Sequence, residues 1–409
     1  MGFKTPGPKA KKIVNKTKKL CIETTFAYPF VIKTGKGCFL EDVDGNRYLD
    51  FNSNVASCNI GYNHPDIMEI LKKYSRIGTH KIAGQDFYTE EQANLAEKLV
   101  EITPKNLTRV FLINTGAEAV ENAMKFVYRK RGPLTGISCK GAFHGRTLGS
   151  LTFTFSKPVH KKNYPQVEHK RIKFCTKDDD PEIDALEKIL KEQPDVAFVI
   201  TEVVQGEGGY KIGSKKFVKK LRSVTKEYGI PLIIDEVQSG IGRTGRWWAF
   251  ENYDIEPELM TAAKSLQVGA TILSKDYDPN EPGAVSSTWG GGHRIDMAVG
   301  LKTIEIIEKQ KLMDNAKKMG EHFLKRLKEL KEKYPKKIVD VDGLGLMLRV
   351  EFTDKKQRDF VEIEAFKNGL LLLGCGFKTI RIAPPLIITK QEADQGLDIF
   401  ERVLKRVKK

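Results

Sequence analysis

The chain has 409 residues, of which 40% are hydrophobic and 30% charged, with 35 Gly and 17 Pro spread along it. That length predicts two or three domains with a large core and excludes both a miniprotein held by cross-links and a disordered polar chain. The formal charge is +16, from 69 Lys and Arg against 53 Asp and Glu, which admits a nucleic-acid partner. A solvated basic tail is the better reading, because the lysines are dispersed and no acid precedes Glu23.

In chain order, the opening residues up to Lys12 lack an apolar signal core, and no apolar run approaches the roughly 18 residues that span a bilayer. A cytoplasmic protein without membrane contact is expected. Residues 37 to 51 read as a hairpin turning at Asp44-Gly45-Asn46, an edge element of a small domain. From about residue 90, helical patterns alternate with short apolar runs at 110–113, 196–200 and 232–234, the pattern of buried parallel strands with crossover helices. Beyond residue 300, Met319, Phe323, Leu327 and Leu330 recur at helical spacing, residues 346–352 alternate like a strand, and a closing helix starts near Lys390. The expected architecture is α/β: an N-terminal segment 1–60 that joins a small α+β domain, a large domain 61–305 with a mixed, mostly parallel sheet, and a C-terminal part 306–409 completing the small domain. The cysteines (Cys21, Cys38, Cys58, Cys139, Cys175 and Cys375) form no CxxC pair and have no His-rich company, so no disulfide framework and no metal site is expected.

Polar residues just after apolar strands deserve scrutiny, because ligands of α/β sheets gather at strand carboxyl ends. Four places qualify. Gly116 and Ala117 open a helix after residues 110–113, where free amides can hold an anion, although a Gly before a helix is usually a plain turn. Asp235 ends the 232–234 run, where a carboxylate is either capped or paired with a cationic group. Lys264 follows small and apolar residues, where desolvation would favour a nucleophilic amine over the commoner snorkelling surface lysine. Phe143, His144 and Arg146 share one Gly-flexed loop that could stack on a flat group and bind a carboxylate.

In family order, the stretches DVDGNRYLDF (42–51), NTGAEAVENAMK (114–125), GAFHGRT (141–147), TEVVQGEGG (201–209), IIDEVQSGIGRTG (233–245), AAKS (262–265), SSTWGGG (286–292) and IRIAPPL (380–386) closely resemble the class III, fold-type I aminotransferases that use pyridoxal 5′-phosphate. The resemblance implies that Lys264 carries the cofactor and moves protons as a free base, and that Asp235 meets the pyridinium nitrogen. It implies that Val237 and Phe143 flank the ring, that Gln238 approaches the ring hydroxyl, and that Gly116 and Ala117 hold the phosphate. Thr288 is similar to a phosphate ligand given to the neighbouring subunit, which implies a homodimer with shared sites.

Substrate choice is implied to rest on Arg381 for an α-carboxylate, Arg146 for a distal carboxylate, and Glu207 as the group that pairs with Arg381 when the donor has no α-carboxylate. This trio resembles ω-aminotransferases that pass an amine to 2-oxoglutarate in a ping-pong cycle. Val55 stands where ornithine enzymes carry a tyrosine, which turns the expectation to 4-aminobutyrate, with L-lysine 6-amination as the alternative. A racemase of the same fold is a further alternative, because the TPGPKA opening also occurs in such enzymes; nucleic-acid binding is the remote one.

Overall fold

The computed structural model describes residues 5–23, 28–77, 87–285 and 292–407. The chain divides into two compact units, Met1–Pro65 with Asp314–Lys409, and Asp66–Met313.

The Asp66–Met313 unit is built on a seven-stranded sheet. Its strands lie in the order Leu107–Ile113, Gly269–Ser274, Leu259–Ala262, Leu232–Asp235, Val196–Thr201, Thr135–Cys139 and His169–Ile172. Every residue of Val196–Thr201 and of Leu232–Asp235 is buried, as expected of strands covered on both faces. The central pairings are parallel. Gly269–Ser274 is the exception, antiparallel to both of its neighbours. The apolar run at 110–113 therefore ends a strand whose sheet partner is antiparallel, which corrects the expectation of parallel pairing there. The physical reason is connection length: six residues separate Ala262 from Gly269, too few for a crossover helix and enough for a turn.

Helix Gly116–Arg131 lies against this sheet. Thr115 caps it by accepting the Glu118 amide, three basic residues complement its carboxyl end, and Gly132 leaves it at φ +86°. Its Val120, Ala123, Met124 and Val127 pack with Phe153, Phe198, Ile200 and Ile233 in one core. Gly136 makes room for this packing, since a Cβ there would stand 2.6 Å from the Phe153 ring and 2.7 Å from that of Phe198.

In the other unit, strands Phe39–Asp42 and Arg47–Asp50 form the expected hairpin, with Gly45 in the turn at φ +86°. They occupy the middle of a four-stranded sheet, between Ile32–Lys36 and Leu370–Leu371, and not its edge. The parallel pairing of Leu49 with Leu370 adds a strand from the far end of the sequence, a long-range contact that hairpin chemistry does not announce. Phe323, Leu327 and Leu330 of helix Leu312–Lys333 are buried as their spacing predicts, and helix Lys390–Arg406 starts at a Thr389–Glu392 capping box. A second sheet runs Ile338–Leu344, Met347–Phe352, Thr379–Ile382, Leu373–Cys375. Among the described residues no helix is long and apolar enough to cross a membrane.

Phe198 is fully buried, with ring centroids 5.2 Å from Phe153 and 5.3 Å from Tyr128. Phe198→Ala should destabilise the large unit by about 3–5 kcal/mol, seen as a clear drop in the apparent thermal midpoint, and Phe198→Leu by distinctly less.

Candidate active site

The carboxyl end of strand Leu232–Asp235 brings a carboxylate into the protein interior, with Asp235 5% exposed. Such a group needs partners. Asp235 Oδ1 accepts from the Val237 amide (3.0 Å) and from Thr261 Oγ1 (3.3 Å), and Oδ2 lies 2.8 Å from His144 Nδ1. The His144 side chain is fully buried, and its own amide donates to Thr154 Oγ1 at 3.0 Å, which fixes the 141–147 loop beneath the strand end.

Glu202, just beyond strand Val196–Thr201, ties two loops together. One of its oxygens accepts from the Phe143 amide (3.0 Å) and the other from the Gly206 amide (2.7 Å). Burial pushes the Glu202 carboxyl well up from its ordinary value, while His144 pulls it back. Glu236 is likewise buried, bonded to Ser239 Oγ (2.6 Å) and the Phe250 amide (2.9 Å); burial holds it up at about 7. Through these bonds Glu236 shapes the turn that carries Val237 and Gln238.

Close packing gathers the remaining candidates of this unit. A Cβ on Gly116 would lie 2.7 Å from Val237 Cγ1 and 3.4 Å from Ala263 Cβ, so the helix start touches both the Asp235 turn and the residue before Lys264. Ala117 meets Gly145 in the same way, and Gln238 packs on Gly206. Lys264 opens a single 3₁₀ turn in the connection between Leu259–Ala262 and Gly269–Ser274, at φ +49°. A positive φ is unfavourable for a lysine and marks a backbone held by its surroundings.

Glu207 sits in the Gly206–Tyr210 turn of a two-stranded ribbon, Val204–Gln205 with Lys211–Ile212, and Lys157 Nζ lies 3.5 Å from it. The Arg146 guanidinium is 5.8 Å from the Phe143 ring centroid, and the His160 ring meets Phe143 edge-on at 5.8 Å. Burial lowers the His160 pKa first, Arg146 and Lys157 lower it further, and Glu207 opposes them. His160 thus senses the two predicted carboxylate-selecting side chains together.

Arg381 and Val55 belong to the other unit. Arg381, 3% exposed, lies in strand Thr379–Ile382 in register with Arg349, whose charge is met by Asp340 and by Glu351 at 2.9 Å. Val55 lies in a turn where Ser53, Asn54, Val55 and Ala56 all have positive φ. Ser53 Oγ donates to the Ala383 carbonyl (2.6 Å) and the Ala383 amide to the Phe51 carbonyl (2.7 Å), so the Val55 turn is pinned two residues beyond Arg381. Thr288 lies outside the described residues.

Sequence reasoning had placed His144 on the loop without a partner and had given no task to Glu202, Glu236, Thr261 or His160. Glu202 and Glu236 stand inside motif stretches, and a carboxylate next to an apolar run is the available signal there.

The strand order and the groups collected at its carboxyl edge are those of a fold-type I pyridoxal-phosphate enzyme. Within that class the chain belongs to the class III aminotransferases: the family model for Aminotransferase class-III matches residues 23–404. The chain is 38% identical to an acetylornithine aminotransferase of Archaeoglobus fulgidus over 95% of its own length and 99% of that protein. It is 34% identical to an alanine/serine racemase of Pyrococcus horikoshii, over 98% of its length and 92% of that chain. A solved lysine aminotransferase from M. tuberculosis superposes with a TM-score of 0.90 at 26% identity, covering 98% of this chain and 100% of the other.

The family is pyridoxal-phosphate-dependent, and the residues present fit that group. Gln238 Oε1 and His144 Nε2 are buried without a hydrogen-bond partner among the described residues, beside the Asp235 turn. The Thr115 cap takes the Glu118 amide and leaves those of Gly116 and Ala117 for an anion.

Glu236 yields a pH test. Its folded value near 7 exceeds the ordinary 4.5, so the folded chain keeps a proton that the unfolded chain releases; the stability this contributes is present below about pH 4.5 and is lost as pH rises through about 7. Glu236→Gln should therefore gain thermal stability relative to the parent between pH 5 and pH 8, by at most a few kcal/mol, read from unfolding midpoints at both pH values.

Proposed function

We propose that this aminotransferase takes the terminal amine of an amino acid whose far end bears a carboxylate and delivers it to 2-oxoglutarate. The observation that carries this reading is the placement of Arg146 and His160 beside the Phe143 ring and of Lys157 beside Glu207, on loops that Glu202 ties together. A cation there suits a distal carboxylate, and an acid beside it can hold a second guanidinium in check. Sequence resemblance favours 4-aminobutyrate or lysine as donor. The acetylornithine aminotransferases among the relatives offer a donor with the same layout, and N-acetylornithine is the first to be tried.

In this reading Lys264, its backbone fixed by the turn, would hold the cofactor and, once freed, move the proton. Asp235, oriented by His144, Thr261 and the Val237 amide, presents a carboxylate to the ring nitrogen. Pyridoxal phosphate supplies an aromatic ring that takes up the electrons released when a bond at the amine-bearing carbon breaks. Val237 and Phe143 would hold the ring, and Gln238, whose Oε1 is buried without a partner among the described residues, would receive its hydroxyl. Arg146 positions the far carboxylate. Arg381 receives the α-carboxylate of glutamate, and Glu207 neutralises it for donors that lack one. The functional unit is a homodimer in which Thr288 serves the neighbouring site.

A second reading is supported by the relative named as an alanine/serine racemase. The same Lys264 and Asp235 would then return the proton to the opposite face of the carbon. Incubating single enantiomers with enzyme and cofactor but no oxo acid separates the two: loss of chirality favours the racemase.

Borohydride reduction of the cofactor-loaded enzyme should leave a phosphopyridoxyl group on Lys264, and Asp235→Asn should bind cofactor yet lose several orders of magnitude in turnover. A label on another lysine, or near-normal turnover, would defeat these assignments. In half-reactions with N-acetylornithine, 4-aminobutyrate, lysine and ornithine followed spectrally, Glu207→Ala should impair the ω-amine step and spare or improve the glutamate step, and Arg381→Ala should do the reverse. Equal slowing of both steps by Glu207→Ala would leave Glu207 structural.

A further inference from the structure

A second concentration of charge lies in the Asp66–Met313 unit beside the sheet's edge strand, His169–Ile172. A pocket of about 590 Å³ is walled by Lys140, Phe155, Lys157, Lys161, Lys162 and Arg171, and no carboxylate lines it. Among the described contacts, only Lys157 of these five cations reaches an acid, Glu207 at 3.5 Å. The Lys161 ammonium stands 3.6 Å from the Phe155 ring centroid and the Arg171 guanidinium 4.8 Å from the same centroid. Two cations on one ring repel each other, and both burial and Arg171 hold the Lys161 ammonium down at about 8.

The wall is also anchored. Lys161 Nζ donates to the Thr152 carbonyl (2.8 Å), the Val167 amide donates to Thr152 Oγ1 (3.3 Å), and Arg171 sits in a strand paired with Thr135–Cys139. These contacts hold Lys161 and the strand that bears Arg171 in place.

We infer that this pocket binds a small polyanion of the phosphate class, a pyrophosphate group either free or carried by a nucleotide, separately from the amides at Gly116. Four cations without an acid call for at least two negative charges on the occupant. The volume lies within the range of small-molecule sites. Lysine serves phosphate as a point charge, whereas a lone flat carboxylate is better met by a bidentate arginine. Cations already face the Phe155 ring, so recognition falls on the phosphates and not on a stacked base.

The test uses the enzyme loaded with pyridoxal phosphate, so that the Gly116 amides are occupied, titrated calorimetrically at about 50 mM salt. Pyrophosphate and ATP should each bind saturably at one site per chain, and adenosine should not bind. The double variant Lys140→Ala/Lys162→Ala should weaken both about a hundredfold, roughly tenfold for each lost charge-assisted contact, with transamination and thermal midpoint unchanged. Lys161→Met should weaken both as well; Lys157 is left intact because it also pairs with Glu207. Absence of saturable binding, or an affinity indifferent to these substitutions, overturns the inference. Tight adenosine binding, or an oligonucleotide that binds where pyrophosphate does not, overturns it too.

Discussion

Three carboxylates, Glu202, Asp235 and Glu236, are buried at the ends of two adjacent parallel strands, and the site is organised by the need to satisfy them. Burial takes them out of bulk solvent, so each needs donors within the protein. Asp235 takes an imidazole, a hydroxyl and an amide; Glu202 takes the amides of two loops; Glu236 takes a hydroxyl of its own turn and the amide of Phe250, fourteen residues on. Every one of these bonds fixes a segment that carries a candidate ligand-binding side chain. The rigidity of the site is a by-product of satisfying buried acids.

The second organising element is the strand that runs against the others. A parallel strand after Leu259–Ala262 would require a long crossover and would carry Lys264 away from the sheet edge. The antiparallel return at Gly269–Ser274 confines it to a tight turn, and Gly269 allows this because a Cβ there would stand 2.5 Å from the Thr115 carbonyl. The lysine turn and the helix cap are therefore fitted to each other through a glycine.

Much of this was legible in the sequence where the signal is local. The helix start at Gly116, the buried runs at 196–200 and 232–234, the helix through Phe323 and Leu327, and the hairpin turn at Gly45 all follow from spacing and turn chemistry. The 269–274 strand escaped notice because a Gly-started GATILS stretch is short and ambiguous, and its direction depends on a connection length that only its boundaries reveal. The His144–Asp235 pair spans 91 residues and the Leu49–Leu370 pairing still more, so neither leaves a local trace. Family motifs marked the residues; the bonds between them came only with the fold.

The turn at Ser53–Ala56 has a consequence for how the chain is made. Four successive L-residues in left-handed geometry cost on the order of 1–2 kcal/mol each, so the turn does not hold its shape alone. Besides local bonds such as that from the Ala56 amide to the Asn52 carbonyl, it has a fastener at Ala383, 330 residues downstream of Ser53. During synthesis the amino-terminal part of this unit emerges long before its fastener exists, while the whole Asp66–Met313 unit can be completed in between. The Val55 turn consequently lacks this fastener until translation has delivered the strand that bears Arg381.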